Sequence, residues 1–183
     1  MKKIFTAAAL ALLAGGCASY TWKSSVPDDK RTVTVTVFRN SSAVTELGNL
    51  CTRELGRELQ REGTFRLSRE GALELQGEVV SSGGGSLQYG ERSYGQRYTN
   101  GRLQATVKVS LIDKREGKVL WNDRTFSGET GLLHGGRDSV SIERDASGRL
   151  AEDIARQIVD ELAAWDFSDK TKAAEAAAGE EQK

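Results

Sequence analysis

The 183-residue sequence predicts an α+β domain, an α/β sandwich with two helices packed on one face of a small mixed sheet of four to five strands, in the order β-α-β-β-β-α. Three observations carry that prediction. Leu103, Ala105, Val107, Val109 and Leu111 alternate with Gln104, Thr106, Lys108, Ser110 and Ile112, the period of two that marks a long strand with one buried face. Val119, Leu120, Trp121 and Phe126 mark a strand returning beside it, after a charged turn from Asp113 to Lys118 that contains Gly117. Two segments flanking this hairpin repeat apolar residues at helical spacing, and a hairpin with one apolar face needs such a partner layer in water.

Taken in order, the chain opens with Met1-Lys2-Lys3 and an apolar run from Ile4 to Leu13, too short to span a bilayer as a helix. Residues 1–16 read as a signal peptide. Leu13-Ala14-Gly15-Gly16-Cys17 resembles a bacterial lipobox, with Ala14 where Leu is usual. The resemblance implies cleavage before Cys17, a covalent lipid on its thiol and anchoring to a membrane; the alternative is an ordinary cleaved signal with an incidental cysteine. Several acyl chains, at about 0.8 kcal/mol per buried methylene, make such an anchor effectively permanent. Ala18 after the cysteine, where Asp would imply retention, favours the outer membrane. Cys51 is then left without a partner and packs as a small hydrophobe. Without Lys2 and Lys3 the chain has 24 basic and 26 acidic side chains (26 − 2 against 26), so no bulk positive field attracts nucleic acid.

Residues 17–31 read as a lipidated tether holding Tyr20, Trp22 and the single proline, Pro27. Its aromatics sit either at headgroup level or on the domain. Residues 32–165 form the domain. Thr32 to Arg39 alternates Val with Thr as one strand, and Asn40-Ser41-Ser42 offers turn and N-cap chemistry. Val44, Leu47, Cys51, Leu55 and Leu59 form a helical stripe that Gly63 ends. Thr64 to Ser68 and Leu73 to Val80 follow as strands, and strand-helix-strand order predicts a right-handed crossover with parallel pairing.

Ser81 to Gly101 reads as a long irregular stretch. Gly85 and Gly90 have phosphate-loop spacing, but Glu91-Arg92 stands where Lys-Ser/Thr is required. Tyr89, Tyr94 and Tyr98, interleaved with Arg92 and Arg97, suit a contact surface because tyrosine offers large area at little rotamer cost; equally, they fold back on the sheet. The only histidine, His134, lies in a second glycine-containing loop, and one histidine makes no metal site. From Ser139 a second helix carries Ala146, Leu150, Ile154, Ile158, Leu162 and Trp165 on one face. Residues 166–183, poor in large apolar side chains, read as a disordered or fraying tail.

No nucleophile elbow, metal-spaced His/Cys set or complete phosphate loop is present, so the sequence points to work done by surfaces, with no cofactor beyond the lipid on Cys17. An enzyme would need an acid/base pair that the sequence does not display. The ordered set of lipobox, strand TVTVTVF, helix ending LGRELQREGTFRL, strand ATVKVSLIDKREGKVLW and closing helix LAEDIARQIVDELAAW resembles the LPS-assembly lipoprotein family, LptE, from about Cys17 to Trp165. That resemblance implies a non-enzymatic outer-membrane lipoprotein on the periplasmic side. It implies a plug that stabilises an LptD-like β-barrel and handles lipopolysaccharide.

Lipid A phosphates call for cations. Lys114, Arg115 and Lys118 are therefore the first candidate LPS contacts and Arg92 and Arg97 the second; a merely solvated hairpin tip is the alternative. Tyr89, Tyr94 and Tyr98 are candidate barrel contacts. The rival reading is a CsgG/LpoB-like envelope lipoprotein, acting in secretion or activating a peptidoglycan synthase.

Overall fold

The computed structural model describes residues 26–91, 97–132 and 139–167. Six strands and two helices follow a 3-10 turn at Asp28–Lys30: β1 (Thr32–Val35), β2 (Arg39–Asn40), α1 (Leu47–Glu62), β3 (Arg66–Leu67), β4 (Leu73–Glu91), β5 (Arg97–Asp113), β6 (Lys118–Leu132) and α2 (Ser139–Ala163). One mixed sheet runs β3-β1-β4-β5-β6, and β2 lies on β4 farther along the edge that β1 occupies. β1 is parallel to both β3 and β4, so the strand-helix-strand unit pairs in parallel as predicted. β4, β5 and β6 are successively antiparallel. The α+β sandwich of two helices on a mixed sheet is the observed architecture, with one strand beyond the number expected.

The extra strand arises because Thr32 to Arg39 is not continuous. At Thr36–Phe38 the chain leaves the sheet and puts the Phe38 ring into the core, where only 3% of that residue stays exposed. The ring occupies the space a side chain on Gly77 would fill; a Cβ there would lie 2.4 Å from it. The Phe38 N–H donates to Thr52 Oγ1 on α1 at 2.9 Å, and pairing resumes with Arg39 opposite Glu78. Gly48 lets α1 press against this break, since a Cβ there would meet the Phe38 carbonyl at 2.7 Å.

Ser81 to Gly101 also departs from expectation. β4 continues to Glu91 and β5 starts at Arg97, in register from Ser81 opposite Thr106 to Glu91 opposite Arg97, with irregularities between Val79 and Ser81 and between Gly85 and Gln88. Pairing with the strongly patterned β5 overrides the poor strand propensity of the glycines. The expected N-cap differs too. α1 begins at Leu47 behind Glu46 without a side-chain cap, and Asn40 instead organises the preceding loop through its Nδ2, which donates to the Val44 and Thr45 carbonyls. Gly63 ends α1 at φ 82° with its N–H on the Leu59 carbonyl, as its position predicts.

The core lies between the helices and one sheet face. Leu103, Ala105, Val107, Val109 and Leu111 are all buried there, confirming the alternation. They meet Leu47, Cys51, Leu55 and Leu59 from α1 and Ala146, Leu150, Ile154, Ile158 and Leu162 from α2 in one cluster that Val26 and Phe167 also join. Residues 68–72 form a strap that carries the chain from one side of β1 to the other. Gly71 N–H donates to Thr34 Oγ1 and Ala72 N–H to Thr32 Oγ1. A Cβ on Gly71 would stand 2.6 Å from β1 backbone atoms, so the crossing requires glycine.

Candidate functional site

The sheet face opposite the helices is uncovered by any described element, and it is polar. Among its carboxylates, Glu74 accepts from Thr36 and Gln76, and Glu78 accepts from Ser41 and pairs with Arg39 at 3.2 Å. Glu129 accepts from Gln104 and pairs with Arg102 at 2.7 Å; the Gln104 hydrogen bond, with Arg102 beside it, draws its pKa below the ordinary carboxylate range. A shallow groove of about 290 Å³ crosses this face, lined in part by Thr36, Gln76, Lys108, Ser110 and Asp123. Asp123 sits at φ 49° where β6 falls out of register with β5, and its N–H donates to Ser110 Oγ at 3.1 Å.

The β5–β6 turn closes one end of the sheet. Gly117 takes φ 65°, the conformation its place in the turn predicts. Asp113, 1% exposed, accepts the N–H groups of Arg115 and Glu116 on Oδ1 at 2.9 and 3.1 Å. Its Oδ2 lies 2.9 Å from Lys30 Nζ, which also reaches Glu116 at 3.1 Å. Burial alone would raise the Asp113 pKa, but the Lys30 ammonium and the two backbone donors together hold it below the usual carboxylate range. Burial likewise works against the Lys30 charge, and the two carboxylates outweigh it and raise its pKa.

The candidate cations of the turn each face a carboxylate: Lys114 stands 3.9 Å from Glu74, Arg115 4.0 Å from Asp29 and Lys118 3.8 Å from Glu116. Sequence reading missed this clasp because Asp29, Lys30 and Glu74 are remote in the chain; the signal available was a charged Asp-Asp-Lys turn following Pro27. Of the remaining candidates, Tyr89 lies opposite Thr99, Tyr98 opposite Gly90 and Arg97 opposite Glu91 on the β4–β5 arm. Cys17, Arg92 and Tyr94 lie outside the described residues, as does His134.

Other features are structural. Trp121 meets Trp165 edge-on at 5.6 Å. The Arg124 guanidinium lies over both rings, 5.4 and 5.6 Å from their centres, and pairs with Glu161 at 2.6 Å. The β5–β6 hairpin and the segment just after α2 are therefore in contact. Burial pushes the Cys51 thiol up to about 12, so it is protonated and unreactive at neutral pH. Among the described residues no cluster of three or more His, Cys, Asp or Glu could hold a metal ion, and no helix is long and apolar enough to cross a membrane.

Comparison with solved structures gives the fold again. The hypothetical protein CT253 of Chlamydia trachomatis is similar at 13% identity, TM-score 0.53, covering 76% of this chain and 99% of its own. A neuraminyllactose-binding hemagglutinin homolog of Helicobacter pylori matches at 10% identity, TM-score 0.52, over 82% of this chain and 95% of its own. Protein XCC0632 of Xanthomonas campestris matches at 10% identity, TM-score 0.50, over 75% and 88%. No curated protein matches the sequence. The family model for lipopolysaccharide assembly, LptE, matches residues 31–162, a span that begins beside the clasp and takes in every strand and nearly all of α2. The chain that packs these elements together thus belongs to the LptE family of lipopolysaccharide-assembly proteins.

Proposed function

We propose that the protein is the lipoprotein subunit of the outer-membrane lipopolysaccharide translocon. In this reading it is anchored by lipid on Cys17 at the periplasmic side, and it fills and stabilises an LptD-like β-barrel without catalysing a reaction. The observation that carries the reading is the open sheet face: polar along four strands, with its carboxylates met by neighbouring donors and cations. A face of this kind has no apolar patch to drive nonspecific association and stays hydrated, which suits a wet barrel lumen. Lys114, Arg115 and Lys118 serve as LPS contacts by exchanging their long, partly exposed pairs with Glu74, Asp29 and Glu116 for lipid A phosphates, which accept stronger charge-assisted bonds. Arg92 and Arg97 are the second set, and Tyr89, Tyr94 and Tyr98 meet the barrel.

Extraction of the lipidated full chain in detergent, followed by identification of its stoichiometric partner, tests the assembly. A large outer-membrane barrel is the expected companion; a peptidoglycan synthase or a homo-oligomeric ring would replace this reading with its rival. Changing Lys114, Arg115 and Lys118 together to Ser should weaken LPS binding, and unchanged affinity would remove the turn from the site.

A further inference from the structure

The sheet ends at β3 on one side and at β6 on the other. β3 pairs through only two residues. Beyond Val79, the side of β4 that β1 and β2 leave is met by the loop before α1, whose Val44 N–H donates to Ser82 Oγ at 3.1 Å. β6 is different. It is 15 residues long, and among the described strands it pairs with β5 alone. A long edge strand is a template on which another chain can pair. What lies along this one is a row of polar side chains from α2.

Arg149, Asp153, Gln157 and Glu161 recur at every fourth position of α2 and so form one stripe, advancing about 6 Å per step. Every second residue of a strand advances by about 6.8 Å, so the stripe keeps step with β6 running the other way. Arg149 Nη2 donates to the Gly131 carbonyl at 3.0 Å, and Gln157 Nε2 to the Ser127 carbonyl at 3.2 Å. Asp153 Oδ2 accepts from the same Gln157 amide at 3.0 Å and thereby aims it. Glu161 ends the row on Arg124 of β6 at 2.6 Å. Ser127 and Gly131 stand opposite Thr106 and Arg102 of β5. Since their carbonyls are given to α2, these are the positions of the antiparallel ladder whose main-chain groups turn away from β5. Gly128 lies between them, and a Cβ there would stand 2.8 Å from Leu150 and 3.3 Å from Asp153 Oδ2. Glycine at that place lets the stripe reach the edge.

We propose that this stripe is an edge guard: α2 stands where a further strand would pair and keeps β6 from joining β6 of a second copy. The inference goes beyond the reading above and does not rest on it. Two β6 edges meet antiparallel about a twofold axis, a contact that closes on itself and leaves only the short β3 strands outside. Without the stripe, the carbonyls of Ser127 and Gly131 point outward with no donor, and a second β6 supplies main-chain donors to them as strand addition does.

The test uses the full chain purified in detergent, with differently tagged copies co-expressed. A benzophenone amino acid is placed at position 127 or, separately, at position 76 on the open face of β4. The native chain should be monomeric by sedimentation equilibrium and give no adduct between copies. Arg149→Ala combined with Gln157→Ala should self-associate, its mass rising about twofold toward a dimer. Association should tighten about fivefold for each carbonyl freed, with adducts from position 127 and none from position 76. Arg149→Lys combined with Gln157→Lys keeps donors there and sets lysines beside the edge; it should remain monomeric. If the paired alanines lower helix content by circular dichroism, Gln157→Ala alone is read, and it should give the position-127 adduct in smaller yield. A folded alanine variant that stays monomeric, one that joins copies through position 76, or one no more dimeric than the lysine pair would overturn the proposal. So would a native chain already cross-linked through position 127.

Discussion

The two ends of the long β4–β5–β6 sheet are built on opposite plans. At the turn end, Asp113 and Lys30 form a nearly buried ion pair with the more exposed Glu116 beside it, and a glycine is squeezed against β1 backbone. At the arm end, β4 and β5 run on together to Glu91 and Arg97, and a side chain added at Gly83 would meet nothing within 4 Å. The same residue type, glycine, is obligatory at one end and optional at the other. The contrast teaches that one residue type answers opposite demands, close packing at Gly71 and open space at Gly83.

Four measurements break or sharpen that contrast. Asp113→Ala strands the Lys30 ammonium beside one remaining carboxylate and frees two turn N–H groups, so thermal or denaturant unfolding should show a loss of about 3 kcal/mol. Gly71→Ala drives a methyl into backbone that cannot yield and should cost about 1–3 kcal/mol. The clasp also predicts a pH profile. The depressed Asp113 pKa contributes stability above the unfolded carboxylate value of about 3.9 and loses it as pH falls through the folded value. The raised Lys30 pKa contributes stability below about 10.4, lost as pH rises through its own folded value. Lys30→Met should therefore flatten the stability profile at both extremes; a profile identical to wild type would disprove the clasp. Smallest of all, Gly83→Ala should shift stability by no more than about 0.5 kcal/mol, and a loss comparable to that at Gly71 would erase the distinction between the ends.

The patterned parts of the fold were legible in the sequence. The alternation from Leu103 to Leu111, the turn glycine Gly117, the α1 stop at Gly63 and the α2 stripe follow from local periodicity and conformational freedom, and each stands where expected. What escaped depends on partners far along the chain. Phe38 leaves its strand because Gly77, nearly forty positions later, leaves room for a ring; a glycine inside LELQGEVV was the available hint. Ser81 to Gly90 has the composition of a loop and becomes strand only because β5 pairs with it. The candidate cations at the turn could be picked from sequence by charge and position. Their facing carboxylates could not, since Asp29 and Glu74 arrive there only through the fold.

The strap over β1 has a mechanical consequence. β1 follows directly from the chain's entry into the domain and lies between two parallel neighbours, β3 and β4, with residues 68–72 crossing it. A pull applied to β1 along its own axis strains its ladders in shear, several bonds at once, where peeling would open them singly. Such a mount resists being drawn out lengthwise while adding no rigidity to the far tip of the sheet.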